Sequence, residues 1–195
     1  MLRAGTPVHR VHGRRRRPLE FNECRGNPTR FAPILDADGR CVPSLYGGSS
    51  FIAAVYETIF HDVPAHARWK SVPLDKVTAS AHAMLGPRRD IRLASLRTPD
   101  LARWRVSRDA LIGSSPRRYR DTAAWARAVH DQFPDVEGLV WTSNRCDPDS
   151  AWLFFGDRVR PGDFRIVAAR DGRRDPSFVF DVREAGRRAG ITIVI

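Results

Sequence analysis

Ser44-Leu45-Tyr46-Gly47-Gly48-Ser49-Ser50-Phe51-Ile52-Ala53-Ala54-Val55-Tyr56-Glu57-Thr58-Ile59-Phe60-His61 is the stretch whose reading sets the fold class. A short apolar strand, Ser44-Leu45-Tyr46, runs into the breaker Gly47-Gly48. Ser49 or Ser50 then offers a hydroxyl to cap a helix predicted over residues 50–61. Ile52, Val55, Tyr56 and Ile59 recur at i, i+3, i+4 and i+7 spacing and form its core face. Glu57 and His61, four residues apart, fall on the opposite face beside Ser50, Ala53 and Ala54, whose small side chains let another group approach the backbone. By pattern alone this is an ordinary solvent face.

Outward from this segment, strand and helix signals are mixed rather than alternating. Leu139-Val140-Trp141 and Trp152-Leu153-Phe154-Phe155 are apolar runs of strand length between turn residues, and Arg92-Leu93-Ala94-Ser95-Leu96 reads as another strand. Further strands are predicted over residues 164–167, 178–182 and 191–195. Thr98 with Pro99 opens a short helix, and Asp121 or Thr122 caps one carrying Trp125, Ala128, Val129 and Phe133. Residues 21–43, rich in Gly, Pro and Asn, predict loops and brief strands of the kind that often carry sites. The sum is a single α+β domain with a mixed, largely antiparallel sheet core and flanking helices.

Residues 1–19, with Arg10 and the run Arg14-Arg15-Arg16-Arg17, read as a basic, mobile N-terminal arm, leaving 20–195 as the folded domain. The 195 residues are 42% hydrophobic and include five Trp and ten Phe, enough for a core without disulfides or a structural metal. Net charge is +11, and Lys70 and Lys76 are the only lysines, so the excess is arginine. Arginine pairs with phosphate through a planar fork, which admits nucleic acid, a phosphate-bearing small molecule or an acidic partner. Arginine-biased coding would look the same.

Three cysteines, Cys24, Cys41 and Cys146, form no CxxC pair, which argues against a disulfide framework or a zinc ribbon and suits a reducing cytoplasm. The six histidines show no HExxH spacing, and no metal site is expected. No apolar run is long enough for a signal peptide or a membrane span, so a soluble cytoplasmic protein without membrane contact is expected. Phosphate loops of the GxxxxGK[ST] or GxGxxG kind are absent, and Ser143 sits in no GxSxG elbow. Gly47-Gly48-Ser49-Ser50 can present amides to an anion or simply turn the chain.

Three blocks in order rise above these signals. They are Gly26-Asn27-Pro28-Thr29-Arg30-Phe31-Ala32-Pro33, then Val42-Pro43-Ser44-Leu45-Tyr46, then Ala53-Ala54-Val55-Tyr56-Glu57-Thr58-Ile59-Phe60-His61-Asp62. With Glu137-Gly138-Leu139-Val140-Trp141-Thr142-Ser143-Asn144-Arg145 they resemble the RES domain, named for an arginine, a glutamate and a serine that match Arg30, Glu57 and Ser143. The resemblance covers residues 20–180. It departs from the commonest family pattern at Asp36-Ala37-Asp38-Gly39-Arg40-Cys41-Val42-Pro43, where many members carry a glycine-rich stretch with an aromatic residue, so contacts on the phosphate side are left open.

The resemblance implies an ADP-ribosyltransferase-like fold, NAD⁺ as substrate and cleavage of its nicotinamide–ribose bond. The acceptor is open between inorganic phosphate, water and, in a mono-ADP-ribosyltransferase, a protein. Arg30 would hold phosphate, and Glu57 a ribose hydroxyl and the developing cation. Tyr46 would stack on nicotinamide or bond the ribose, Ser143 the nicotinamide end, and His61 would assist from behind Glu57. It also implies the toxin of a toxin–antitoxin pair. The partner would be an Xre-like helix-turn-helix antitoxin, DNA would be met only through it, and the chain would form homo-oligomers. The rival reading is a basic nucleic-acid-binding module whose aromatics stack on bases.

Overall fold

In the computed structural model, which describes residues 1–64 and 66–195, the apolar run read from the sequence is a strand buried on both faces. Ala151, Leu153 and Phe155 enter one core with Leu139 and Trp141, while Trp152 and Phe154 enter another with Val140. Side chains alternate across a strand, so a sheet covered on both sides needs apolar residues at consecutive positions.

The elements follow the chain as β1 (Val8–Gly13), β2 (Ile34–Leu35), β3 (Cys41–Val42), β4 (Ser44–Gly48), α1 (Phe51–Tyr56), β5 (Lys70–Pro73), α2 (Leu74–Thr78) and β6 (Ser80–Pro87). Then come β7 (Leu93–Ser95), α3 (Thr98–Arg103), α4 (Arg108–Leu111), α5 (Tyr119–Gln132), β8 (Gly138–Thr142), β9 (Ser150–Phe155), β10 (Phe164–Asp171), α6 (Pro176–Arg188) and β11 (Ile191–Val194). Seven strands form one sheet in the order β10-β6-β1-β4-β9-β8-β7. Every neighbouring pair is antiparallel except β7 with β8. The mixed, largely antiparallel α+β architecture is as expected.

This sheet is split in the middle. β1 pairs with β6 over six positions, from Val8↔Leu85 to Gly13↔Ser80, and β4 with β9 over five, whereas β1 and β4 meet only at His9↔Gly48. Gly47 permits that meeting, since a Cβ there would lie 2.6 Å from Cγ1 of Val8. Beyond it the strands diverge and leave a gap.

Several expectations are corrected. Residues 1–19 are no mobile arm: Val8–Gly13 is an inner strand of the sheet, and Leu2 bridges to Ile91. Its alternation was hidden because Arg10 and His12 occupy buried positions where apolar residues are the norm. Residues 178–182 are helical. Phe178, Phe180 and Val182 mimic a period of two, but Asp175 caps the segment by accepting from the Ser177 amide, Pro176 opens it, and Phe178, Val182 and Ala185 share the buried face while Phe180 is exposed.

The helix predicted over 50–61 stops at Tyr56, with Ser50 as its cap and Glu57 as its C-cap. α5 starts at Tyr119, ahead of the expected cap residues, and Thr122 is turned inward. β6, whose Ala, His and Gly carry little strand propensity, had no sequence signal. Finally, Cys24 and Cys41 form a disulfide, contrary to the cysteine reading, because the loop and β3 bring their Cα atoms to 6.0 Å.

Candidate functional site

The gap between β1 and β4 is a cleft of about 410 Å³, within the roughly 300–1,000 Å³ of small-molecule sites. β1 lines one wall with Arg10 and His12, β4 the other with Tyr46, and Glu57 and His61 enter from the end of α1. Arg30 and Trp141 also face it. Four of the five residues singled out from the sequence, Arg30, Tyr46, Glu57 and His61, therefore share one cavity.

Glu57 stands where α1 ends, so its direction is set by its partners rather than by helical periodicity. Its Oε1 accepts from the Ser143 hydroxyl at 2.5 Å and from the Asn144 amide at 3.1 Å. Hydrogen bonds of this kind fix the direction of a carboxylate. Ser143 is fully buried, and its Oγ also accepts from the amides of Arg145 (3.2 Å) and Cys146 (3.0 Å). Its bonding capacity is used within the turn after β8, so Ser143 aims Glu57 and has nothing left for a ligand.

Arg30 is held from both ends. Its carbonyl accepts from the Thr122 hydroxyl, and Nη1 donates to Leu111 O (3.3 Å), Ser114 O (3.0 Å) and Ser114 Oγ (3.0 Å). The guanidinium carbon lies 5.3 Å from the centre of the Tyr119 ring. Burial lowers the pKa of Arg30, an effect opposed by Tyr119, Glu57 and Tyr46. The Tyr46 hydroxyl bonds Thr29 Oγ1 at 2.9 Å and accepts from the Phe31 amide at 3.2 Å, while its ring meets the edge of Trp141. Burial pushes that hydroxyl up to about 12, so it stays protonated. Tyr46 thus ties the loop bearing Arg30 to the sheet. Ser49 and Ser50 donate to Asp149 at 2.6 and 2.8 Å, which explains Gly47-Gly48-Ser49-Ser50 as a turn rather than an anion cradle.

Three groups here had no sequence signal. Arg10 is only 7% exposed, its Nη2 donates to Glu20 O at 2.7 Å and Nη1 has no partner among the described residues. Burial, and next Arg16, pull its pKa down to about 10, so it keeps its charge at neutral pH. His12 Nδ1 lies 3.0 Å from Gly13 O. A carbonyl only accepts, so that nitrogen carries the proton and Nε2 keeps a lone pair, which has no partner among the described residues. Trp141 Nε1 is likewise a buried donor without a partner among the described residues. An unmade bond on a buried polar group costs about 1–3 kcal/mol, so such a concentration in one cleft points to a polar ligand.

The split α+β sheet thus holds a central cleft of small-molecule size, edged by arginines and entered by one anchored carboxylate. Residues 7–181 match the RES domain, and the chain belongs to that family. The match begins at β1, the strand first read as an arm. A chain in the crystal structure of the M. tuberculosis MbcT–MbcA toxin–antitoxin complex has the same fold, with a TM-score of 0.68 at 17% identity over 94% of this chain and 91% of that one. No curated protein matches. Among the described residues no helix is long and apolar enough to cross a membrane, and no group of three or more His, Cys, Asp or Glu is placed to hold a metal ion.

Proposed function

We propose that the cleft binds NAD⁺, that Glu57 promotes cleavage of its nicotinamide–ribose bond, and that the chain is the toxin of a toxin–antitoxin pair. The observation that carries this is the Glu57 carboxylate, fixed by Ser143 and Asn144 in a cleft also lined by Arg10, Arg16 and Arg30. A dinucleotide offers what those groups lack. Its phosphate oxygens suit the unpartnered Nη1 of Arg10, and a ribose hydroxyl suits the lone pair of His12. Arg16 at the margin adds to the attraction, and Arg30 supplies a second cation close to Tyr119.

In the reaction the bond to nicotinamide stretches and positive charge builds on the ribose, in an oxocarbenium-like state. The Glu57 carboxylate stabilises that charge, while the nicotinamide ring leaves with the bonding pair. Trp141 and Tyr46 supply aromatic surface on the same wall of the cleft, suited to a flat ring. Depletion of NAD⁺ would stop growth.

Membership of the RES family and the shared fold with a chain of the MbcT–MbcA complex support the toxin role. The partner we assign is a helix-turn-helix antitoxin of the Xre type that covers the cleft, with DNA met only through it, and the toxin forms homo-oligomers. Induced expression in bacteria tests this. The expected result is growth arrest with a fall in cellular NAD⁺, both abolished by Glu57→Ala and reversed by the cognate antitoxin. Arrest with intact NAD⁺, equally strong in Glu57→Ala, would replace the proposal with the nucleic-acid-binding reading.

A further inference from the structure

The segment after Glu57 carries a second hydrogen-bonded chain that the cleavage step leaves unused. His61 Nδ1 lies 2.9 Å from Asp62 Oδ1, and His61 Nε2 lies 3.0 Å from the Tyr119 hydroxyl. An ionised carboxylate only accepts, so Nδ1 carries the proton of the neutral ring and Tyr119 donates to the lone pair on Nε2. The order Asp62, His61, Tyr119 is thus polarised in one direction: an acid orients a base, and the base draws on a hydroxyl. Burial raises the Tyr119 pKa, so this hydroxyl keeps its proton at rest and can donate it in the bond to His61.

The chain is tied to the site at both ends. His61 and Asp62 line the cleft with Glu57, and the Tyr119 ring carries the Arg30 guanidinium. One turn positions both sets of groups. Ser143 and Asn144 fix the Glu57 carboxylate, while Arg145 donates to the carbonyls of His61 at 2.6 Å and Val63 at 2.7 Å. A lattice of this kind costs side-chain freedom that a solvent-facing histidine would keep.

We propose, building on the NAD⁺ reading, that Tyr119, His61 and Asp62 form a proton relay that activates water as the acceptor, so that hydrolysis is the reaction this chain favours. The water oxygen bonds to C1′ of the ribose as the bond from C1′ to nicotinamide breaks, and the bonding pair leaves with nicotinamide, whose ring becomes neutral. One water proton passes to the Tyr119 oxygen while the tyrosine's own proton passes to His61 Nε2. The imidazolium rests against Asp62 until it releases the proton to solvent. The products are nicotinamide, ADP-ribose and one proton. A phosphate dianion attacks through an oxygen that is already negative, so the relay does nothing for phosphorolysis.

The test is a competition within one active site. Full-length wild type, His61→Gln, Tyr119→Phe and the double variant are given NAD⁺ with phosphate, and in a parallel set azide, as the competing anion. The ratio of ADP-ribose to the anion adduct is read by mass. Both products arise from the same folded molecules, so the ratio is independent of any loss of stability. The relay predicts a ratio at least about 10-fold lower in each single variant, and no further fall in the double variant, because both changes break one chain. If neither anion is accepted, a fall in hydrolytic kcat of at least about 10-fold at unchanged Kd for NAD⁺ takes the ratio's place. An unchanged ratio, a parallel loss of kcat and binding, or a wild type that makes the phosphate adduct and no ADP-ribose would overturn the relay. A wild type that consumes no NAD⁺ overturns the NAD⁺ reading itself, which is a separate result.

Discussion

The two halves of the split sheet are built from opposite materials. β4, β9, β8 and β7 carry Leu45, Trp152, Phe154, Phe155, Leu139 and Trp141 and contain no histidine, whereas β1 and β6 place Arg10, His12 and His82 at buried positions. The first half is what a sequence optimised for packing looks like. The second gives up burial energy to seat polar groups, Arg10 and His12 in the cleft and His82 on the neighbouring strand, and among the described residues one atom on each has no partner. Proteins depart from consistent patterning mainly where function requires it, and Arg10 and His12 point to the same cleft independently of Glu57.

The apolar half should show the larger response to a core substitution. Phe154→Ala removes a fully buried ring between Leu45 and Phe164 and should cost about 3–5 kcal/mol, read as a large drop in the denaturation midpoint. A cost below about 1 kcal/mol would mean that this half is not the packed half. Arg10→Met makes the opposite test. It exchanges a buried charge for an apolar chain of similar length, a change that is often neutral or stabilising. NAD⁺ turnover should fall about 100-fold, by analogy with loss of one preorganised donor, while the melting temperature holds or rises. A protein that unfolds yet retains its specific activity per folded molecule would make Arg10 structural.

A smaller effect concerns acid. His82 is held down to about 3, chiefly by burial and next by His9 and Arg170, and His9 is also lowered by burial. A histidine whose folded pKa lies below its unfolded value stabilises the fold above the unfolded value, and that contribution is lost as pH falls towards the folded one. Lowering the pH from 7 to 5 should therefore cost about 2 kcal/mol through His82, as measured by denaturant titration at the two pH values. His82→Phe should lose most of this sensitivity. An equal acid dependence in that variant would place its origin outside the polar half.

The same contrast explains what could be read beforehand. β4, β8 and β9 were legible because apolar runs of strand length between turn residues have few other solutions. β1 and β6 were not, since buried Arg10, His12 and His82 break the pattern that marks a core strand. α6 was misread because Phe178, Phe180 and Val182 satisfy a period of two by coincidence, and only the cap at Asp175 distinguishes it. Arg30, Glu57 and Ser143 were reached through resemblance. By periodicity Glu57 was a surface residue, and nothing local shows that a turn 86 residues away holds it. Tyr119 and the disulfide were equally beyond reach, because each depends on loops closing over long sequence separations.

NAD⁺ cleavage by Glu57 in the cleft of the split sheet, as proposed above, is tested by the time course of NAD⁺ loss with purified wild type beside Glu57→Gln, a variant that keeps the shape of the side chain. Wild type should release nicotinamide and the variant should do so at least about 100-fold more slowly, with melting temperatures close together. Nicotinamide release at equal rates from both proteins, or none from a folded wild type, would contradict it.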